Sequence, residues 1–132
     1  EYHEFKDNLI KTLDEYDIDF IVLAGFLSLI PKWLIKKYNN RIINIHPALL
    51  PKYGGKGMYG DKVHKAVIEA KEKESGITIH YVNEEYDSGN IIFQAKCKVE
   101  STDTIESLAN KIHKLEHKNY PEVIYSLIKN LK

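Results

Sequence analysis

Two short stretches decide the fold: Phe20-Ile21-Val22-Leu23-Ala24-Gly25 and Arg41-Ile42-Ile43-Asn44-Ile45-His46. The first is apolar without alternation, the pattern of a strand buried on both faces, as in a parallel sheet. The second is β-branched and ends in polar residues. Pro31 lies between them and suits the first turn of a short helix over 31–38. Upstream, Phe5, Leu9, Leu13 and Tyr16 recur at helical spacing, which predicts an amphipathic helix over 2–16. The order helix, strand, helix, strand is the βαβ pattern of an α/β fold.

Downstream, residues 47–60 hold two prolines and four glycines with no periodicity and read as a long loop. Loops of that length in a compact domain are usually functional or disordered. Asp61 is placed to cap a helix running to 73, with Val63, Ala66, Val67 and Ala70 inward. Ile77, Ile79 and Tyr81 alternate with Thr78, His80 and Val82, and residues 91–98 alternate in the same way. The two runs predict an antiparallel hairpin around a six-residue loop, 84–89. The remainder reads as helix from Thr102 or Asp103, with Ile105, Leu108, Ile112 and Leu115 on one face and a break at Pro121.

The chain has 132 residues, the size of one domain with one core, and 43% of them are apolar. Lysine plus arginine balance aspartate plus glutamate at 19 each, so no net charge points to a nucleic-acid or membrane partner. Cys97 is the only cysteine, which excludes a disulfide framework and a cysteine zinc site and fits a reducing compartment. It falls in an alternating run and reads as an ordinary strand residue. No apolar run approaches the roughly 20 residues of a membrane helix.

Asn44 and His46 stand two apart on one strand, so they share a face, and they lie at its carboxyl end, where open α/β sheets bind ligands. An asparagine amide can donate to a carbonyl oxygen as it becomes tetrahedral. Histidine is the side chain that exchanges protons near neutrality, and Pro47 restricts the His46 backbone to extended angles. Asp87 sits on the hairpin loop before Ser88-Gly89; folded over the strand end, its carboxylate would support an imidazolium. Each feature also has an ordinary structural reading: a strand-end histidine before proline, and an Asp-Ser-Gly turn. The loop lacks the Gly-Lys-Ser/Thr ending of a phosphate loop, and the spacing of His46, His64 and His80 supports no metal site.

Asn44-Ile45-His46-Pro47-Ala48-Leu49-Leu50-Pro51, the glycine-rich run that follows, and an Asp before Gly together resemble the folate-dependent formyltransferases. Val22-Leu23-Ala24-Gly25-Phe26, Lys52 to Gly60, Gln94-Ala95, Glu116-His117 and Tyr120-Pro121 are similar to the branch that formylates glycinamide ribonucleotide in purine biosynthesis. The resemblance implies a Rossmann-like α/β formyltransferase fold, with a mixed sheet of parallel strands and an antiparallel hairpin and with helices on both faces. It implies formyl transfer from 10-formyltetrahydrofolate, a co-substrate, to the amine of glycinamide ribonucleotide, with no metal. Asn44 would hold the formyl oxygen, His46 would relay the proton, and Asp87 would support His46. Leu27, Ser28, Leu29 and Ile30 would line the pterin pocket. Asn44 and the segment Val82, Asn83, Glu84, Glu85, Tyr86 and Asp87 would contact the folate. His113 and Glu116 match positions that touch the ribonucleotide.

The resemblance covers residues 1–132 as a single domain, the C-terminal two-thirds of the family pattern; the family's first strand and phosphate-binding loop have no counterpart here. Strand 20–25 is accordingly expected to want a further neighbour, and the 132 residues by themselves are expected to lack transferase activity. The expected setting is cytoplasmic, with small-molecule partners only and a monomer or homodimer as the unit. Other readings are a methionyl-tRNA formyltransferase, a formyltetrahydrofolate deformylase, or a piece that binds folate without catalysis.

Overall fold

The computed structural model describes residues 1–131. The elements run α1 (Tyr2–Glu15), β1 (Ile21–Leu23), α2 (Lys32–Lys37), β2 (Ile42–His46), α3 (Asp61–Glu69), β3 (Glu74–Tyr81), β4 (Ile91–Lys98) and α4 (Ile105–Lys129). One sheet has the order β1-β2-β3-β4. β1 and β2 are parallel, and β3 is antiparallel to both β2 and β4. The mixed α/β sheet is the one expected from the resemblance.

Consecutive strand residues face opposite sides, and Ile42 and Ile43 seed two cores accordingly. Ile43 and Ile45 pack with Ile77, Ile79, Val63 and Val67 of α3, and Leu108 and Ile112 of α4. Ile42 packs with Ile30, Leu34 and Tyr38 around α2. Helices therefore cover both faces of the sheet.

Several local expectations are corrected. The strand expected over 20–25 and buried on both faces is only Ile21–Leu23, a sheet edge, and Val22 is 39% exposed. α1 buries none of its own residues, although its Leu13 leans on the α2 core beside Ile21 and Leu23; Val22 shares the opposite face with Ile43 and is left open at the edge. β3 begins at Glu74 and is buried on both faces through its middle, because loop 47–60 covers the face that its alternation assigns to solvent. The hairpin connection is 82–90, longer than the predicted six residues.

Asp61 is the first residue of α3, not its cap, which is Gly60. The helix ends at Glu69, so Ala70 turns outward and His64 takes a buried position instead. Thr104 caps α4 through a reciprocal box with Ser107, rather than Thr102 or Asp103. Pro121 does not break α4. A proline inside a helix costs a hydrogen bond and a steric clash. Here Leu108, Ile112 and Tyr120 before it and Val123, Ile124 and Leu127 after it pack on the same core, which holds the two halves in line.

Candidate active site

The carboxyl ends of β1 and β2 open into a cleft of about 510 Å³. Such a volume suits a small organic ligand. Polar side chains from β2, β3 and β4 line up behind it along one face of the sheet. Asn44 is paired across the ladder with His80, and His46 with Thr78, which in turn pairs with Gln94. Directly opposed residues share a face, so these five form a polar ladder inside the protein. A register shift lies between Ile79 and His80, just where the ladder meets the cleft. Bulges of this kind re-aim side chains beside functional sites.

Loop 47–60 closes over the ladder. The Thr78 hydroxyl donates to Ala48 O at 2.7 Å and accepts from Leu50 N–H at 3.0 Å and from Gln94 Nε2 at 2.9 Å. Gln94 Nε2 also donates to Leu50 O at 3.1 Å. A fully buried hydroxyl is thus saturated, and the glycine-rich loop is fixed from beneath.

Asp87 folds over the strand end. Its Oδ1 lies 3.4 Å from His46 Nδ1 and 3.7 Å from His80 Nε2, and its Oδ2 accepts from Gly55 N–H at 3.0 Å. The Asp87 backbone has φ +50°, a left-handed conformation that aspartate tolerates better than most residues. Burial works against its charge, but the His80 and His46 rings and the Gly55 amide outweigh burial and hold the carboxyl below its usual range.

His46 is 3% exposed. Its Nε2 donates to the Tyr53 carbonyl at 2.7 Å, leaving Nδ1 to face Asp87. Burial draws the imidazole below its ordinary value; Asp87 and the Tyr53 carbonyl pull the other way, and His80 adds to the lowering. A ring so placed parts readily with a proton, while the Asp87 carboxylate and the Tyr53 carbonyl still favour its charged form. His80 Nδ1 is tied to Tyr81 O at 2.9 Å, and its buried Nε2 has no hydrogen-bond partner. Two histidines therefore converge on one carboxylate oxygen.

Asn44 is half-buried and its Oδ1 is enclosed without a partner, which leaves the amide nitrogen as the polar end available to the cleft. Leu27, Ser28, Leu29 and Ile30 form one wall, with Leu27 and Leu29 about half exposed. Such an apolar wall fits a flat heteroaromatic ring. Val82, Asn83, Glu85, Tyr86 and Asp87 form another part of the lining. Asn83 Oδ1 organises this loop by accepting from Glu85 N–H and Ser88 Oγ.

Glu84 stands apart from the other expected residues: it is not in the cleft lining and faces Lys32 at 3.8 Å on the surface. His113 and Glu116 of α4 lie across the cleft, with the Glu116 carboxyl pushed up by burial against the pull of His113 and His117. His64 lines the cleft as well, buried, with Nδ1 unpartnered and its pKa lowered first by burial. The sequence reading missed His80, Thr78 and Gln94 as parts of the site. Their shared parity with Asn44 and His46 becomes a signal only once the strand register is known.

A family model described as formyl transferase matches residues 1–124. The chain is 53% identical over 116 residues to the chloroplastic phosphoribosylglycinamide formyltransferase of Arabidopsis thaliana, covering 88% of this chain and 40% of that protein. It is 41% identical over 124 residues to the Bacillus subtilis (strain 168) phosphoribosylglycinamide formyltransferase, covering 94% of this chain and 61% of that one. A crystal structure of the Bacillus halodurans phosphoribosylglycinamide formyltransferase superposes with a TM-score of 0.87 at 36% identity, covering 100% of this chain and 66% of that one. The chain thus spans roughly two-fifths to two-thirds of the length of these three relatives. With the mixed sheet, the strand-end Asn and His and the facing Asp already in place, the match over nearly the whole length shows that the chain belongs to the formyl transferase family.

Proposed function

We propose that this protein transfers a formyl group from 10-formyltetrahydrofolate to the amine of glycinamide ribonucleotide in purine biosynthesis, in the cytoplasm. The observation that carries the reading is the convergence of His46 and Asp87 beside Asn44 at the cleft mouth. The names of the relatives support this acceptor over methionyl-tRNA or water.

The reaction asks three things of the protein. As the acceptor amine attacks the formyl carbon, the carbonyl oxygen gains negative charge; the Asn44 amide nitrogen is placed to donate to it. The attacking nitrogen then loses one proton, and the departing folate nitrogen gains one. His46 Nδ1 faces Asp87 at 3.4 Å, and the two can pass it between them through one water. The third task is excluding bulk water, which the loop pinned by Thr78 and Gln94 serves. Leu27, Ser28, Leu29 and Ile30, with the backbone of the 82–87 loop, would hold the folate. His113 and Glu116 would face the ribonucleotide.

Because the 132 residues by themselves are expected to lack activity, the test is turnover with 10-formyltetrahydrofolate and glycinamide ribonucleotide by a chain of the relatives' length that carries them, together with calorimetric binding of each. Formylated ribonucleotide supports the proposal. Binding of a folate analogue with neither ribonucleotide binding nor turnover would overturn it in favour of a folate-binding role.

A further inference from the structure

One turn holds both members of the proton-handling pair. The Tyr53 carbonyl accepts from His46 Nε2 at 2.7 Å, and two residues on the Gly55 amide donates to Asp87 Oδ2 at 3.0 Å. Gly54 stands between them, and a Cβ there would lie 3.2 Å from Asp87 Cβ and 2.6 Å from Leu50 Cδ2. The turn is therefore pressed directly against the carboxylate.

Tyr53 has φ +60°. That conformation is unfavourable for a bulky side chain and persists only where its surroundings hold it. Its hydroxyl donates to Glu72 Oε2 at 2.7 Å, in the connection between α3 and β3, and Lys52 Nζ approaches the same oxygen at 3.4 Å. Neither Tyr53 nor Glu72 is part of the cleft lining that contains His46 and Asp87. Both line a separate depression with Lys52 and Ser75. Their contact is thus outside the reach of a ligand in the cleft, yet it ends on the peptide units that hold the pair.

We infer that the Tyr53–Glu72 hydrogen bond is a positioning latch: it fixes the turn whose carbonyl and amide set how His46 and Asp87 face each other. Its effect on rate rests on the proposed function; its effect on the His46 ring does not. In a neutral imidazole, the partner of one nitrogen decides which nitrogen carries the proton. The latched carbonyl keeps it on Nε2 and leaves Nδ1 toward Asp87. With the latch open, Tyr53 leaves the left-handed region, its carbonyl swings away, and the proton passes to Nδ1, drawn by the carboxylate. Asp87, His80 and His64 are the titratable groups facing His46 in this balance.

The test is nitrogen-15 histidine NMR on the protein and on Tyr53→Phe, Glu72→Ala, Glu72→Gln and the Tyr53→Phe/Glu72→Ala double variant. Neutral His46 is expected as the Nε2–H tautomer in the parent. Tyr53→Phe and Glu72→Ala should each bring up the Nδ1–H form, and the double variant should go no further than either. Glu72→Gln keeps an oxygen for the hydroxyl but loses the charge, so it should behave as the parent. Where formyl transfer is present, kcat should fall about tenfold to hundredfold in the first two variants, with KM for the formyl donor unchanged. A parent-like tautomer in Tyr53→Phe and Glu72→Ala, or a Glu72→Gln that matches Glu72→Ala, would overturn the latch. Amide signals from α4 report folding; if Tyr53→Phe fails to fold, the Glu72 pair decides. A tautomer change in a chain of the relatives' length without turnover sinks the transfer reading and leaves the latch standing, and turnover with an unmoved tautomer does the reverse.

Discussion

At the scale of single residues, the contest at His46 is between burial and a carboxylate. Burial lowers the affinity of the ring for a proton, and Asp87 restores part of it. Asp87→Asn removes that restoring charge. The protonated form, which must be present to give up its proton, is then lost at lower pH. The alkaline limb of kcat should shift to lower pH, and kcat should drop by about 10²- to 10⁴-fold; an unchanged limb in a pH–rate profile would show that Asp87 does not act through His46. Thr78 offers a test of the loop that needs no substrate. Thr78→Val keeps the shape but leaves Leu50 N–H and Ala48 O without their buried partner. The expected cost is about 1–3 kcal/mol in urea unfolding. Asn44, His46 and Asp87 could be singled out in the sequence because strand parity and a strand end are local properties. His80, Thr78 and Gln94 could not, since what makes them part of the site is pairing with strands up to several dozen residues away.

At the scale of elements, α4 shows how caps and packing divide the work. Its first turn is anchored by Asp103, which is 6% exposed. Asp103 accepts from Lys111 Nζ, Ser107 Oγ and Glu100 N–H, and these hold its carboxyl down to about 2. A carboxyl lowered in the folded state stabilises the fold fully above its ordinary value near 3.8 and loses that contribution as pH falls toward 2. Asp103→Asn should therefore flatten the fall of stability between pH 4 and pH 2, followed by circular dichroism; a fall as steep as the parent's would place the acid-sensitive group elsewhere. In the hairpin loop, a Cβ on Gly89 would overlap the Tyr81 carbonyl oxygen. Gly89→Ala should displace the segment that carries Asp87, and activity should suffer more than melting temperature. Helices and strands were legible from periodicity, to within a few residues at their ends. The continuity of α4 through Pro121 was not, because the packing that overrides the local rule lies on β3 and β4.

At the scale of the whole molecule, the two cores are unequal. Among the described residues, the core between the sheet and α3 and α4 holds ten buried residues, and the one around α2 holds four. α1 contributes no buried side chain, and β1 is a three-residue edge. Besides its pairing with β2, that edge is tied to α4: the Tyr120 hydroxyl donates to Leu23 O at 2.7 Å, and burial keeps this phenol neutral, its pKa well above the ordinary value. Local stability follows buried contacts. Amide hydrogen exchange should be fastest in α1 and β1 and slowest in β3 and the middle of α4. Tyr120→Phe should accelerate exchange in β1 selectively, at a global cost of about 1 kcal/mol. Uniform protection across the sheet would contradict this division.

The sequence by itself determined the α/β class, the strand that ends on Asn44 and His46, the long loop after it and the hairpin loop that carries Asp87. These are set by patterns a few residues long, read through backbone period and turn chemistry. The tertiary structure alone decided that Asp87 lands between two histidines, that Thr78 and Gln94 pin the loop, that Glu84 turns away, and that Tyr53 is held by Glu72. Each of those depends on strand register and on which element covers which face. Both are set by burial summed over the whole core, and no short window of sequence contains that sum.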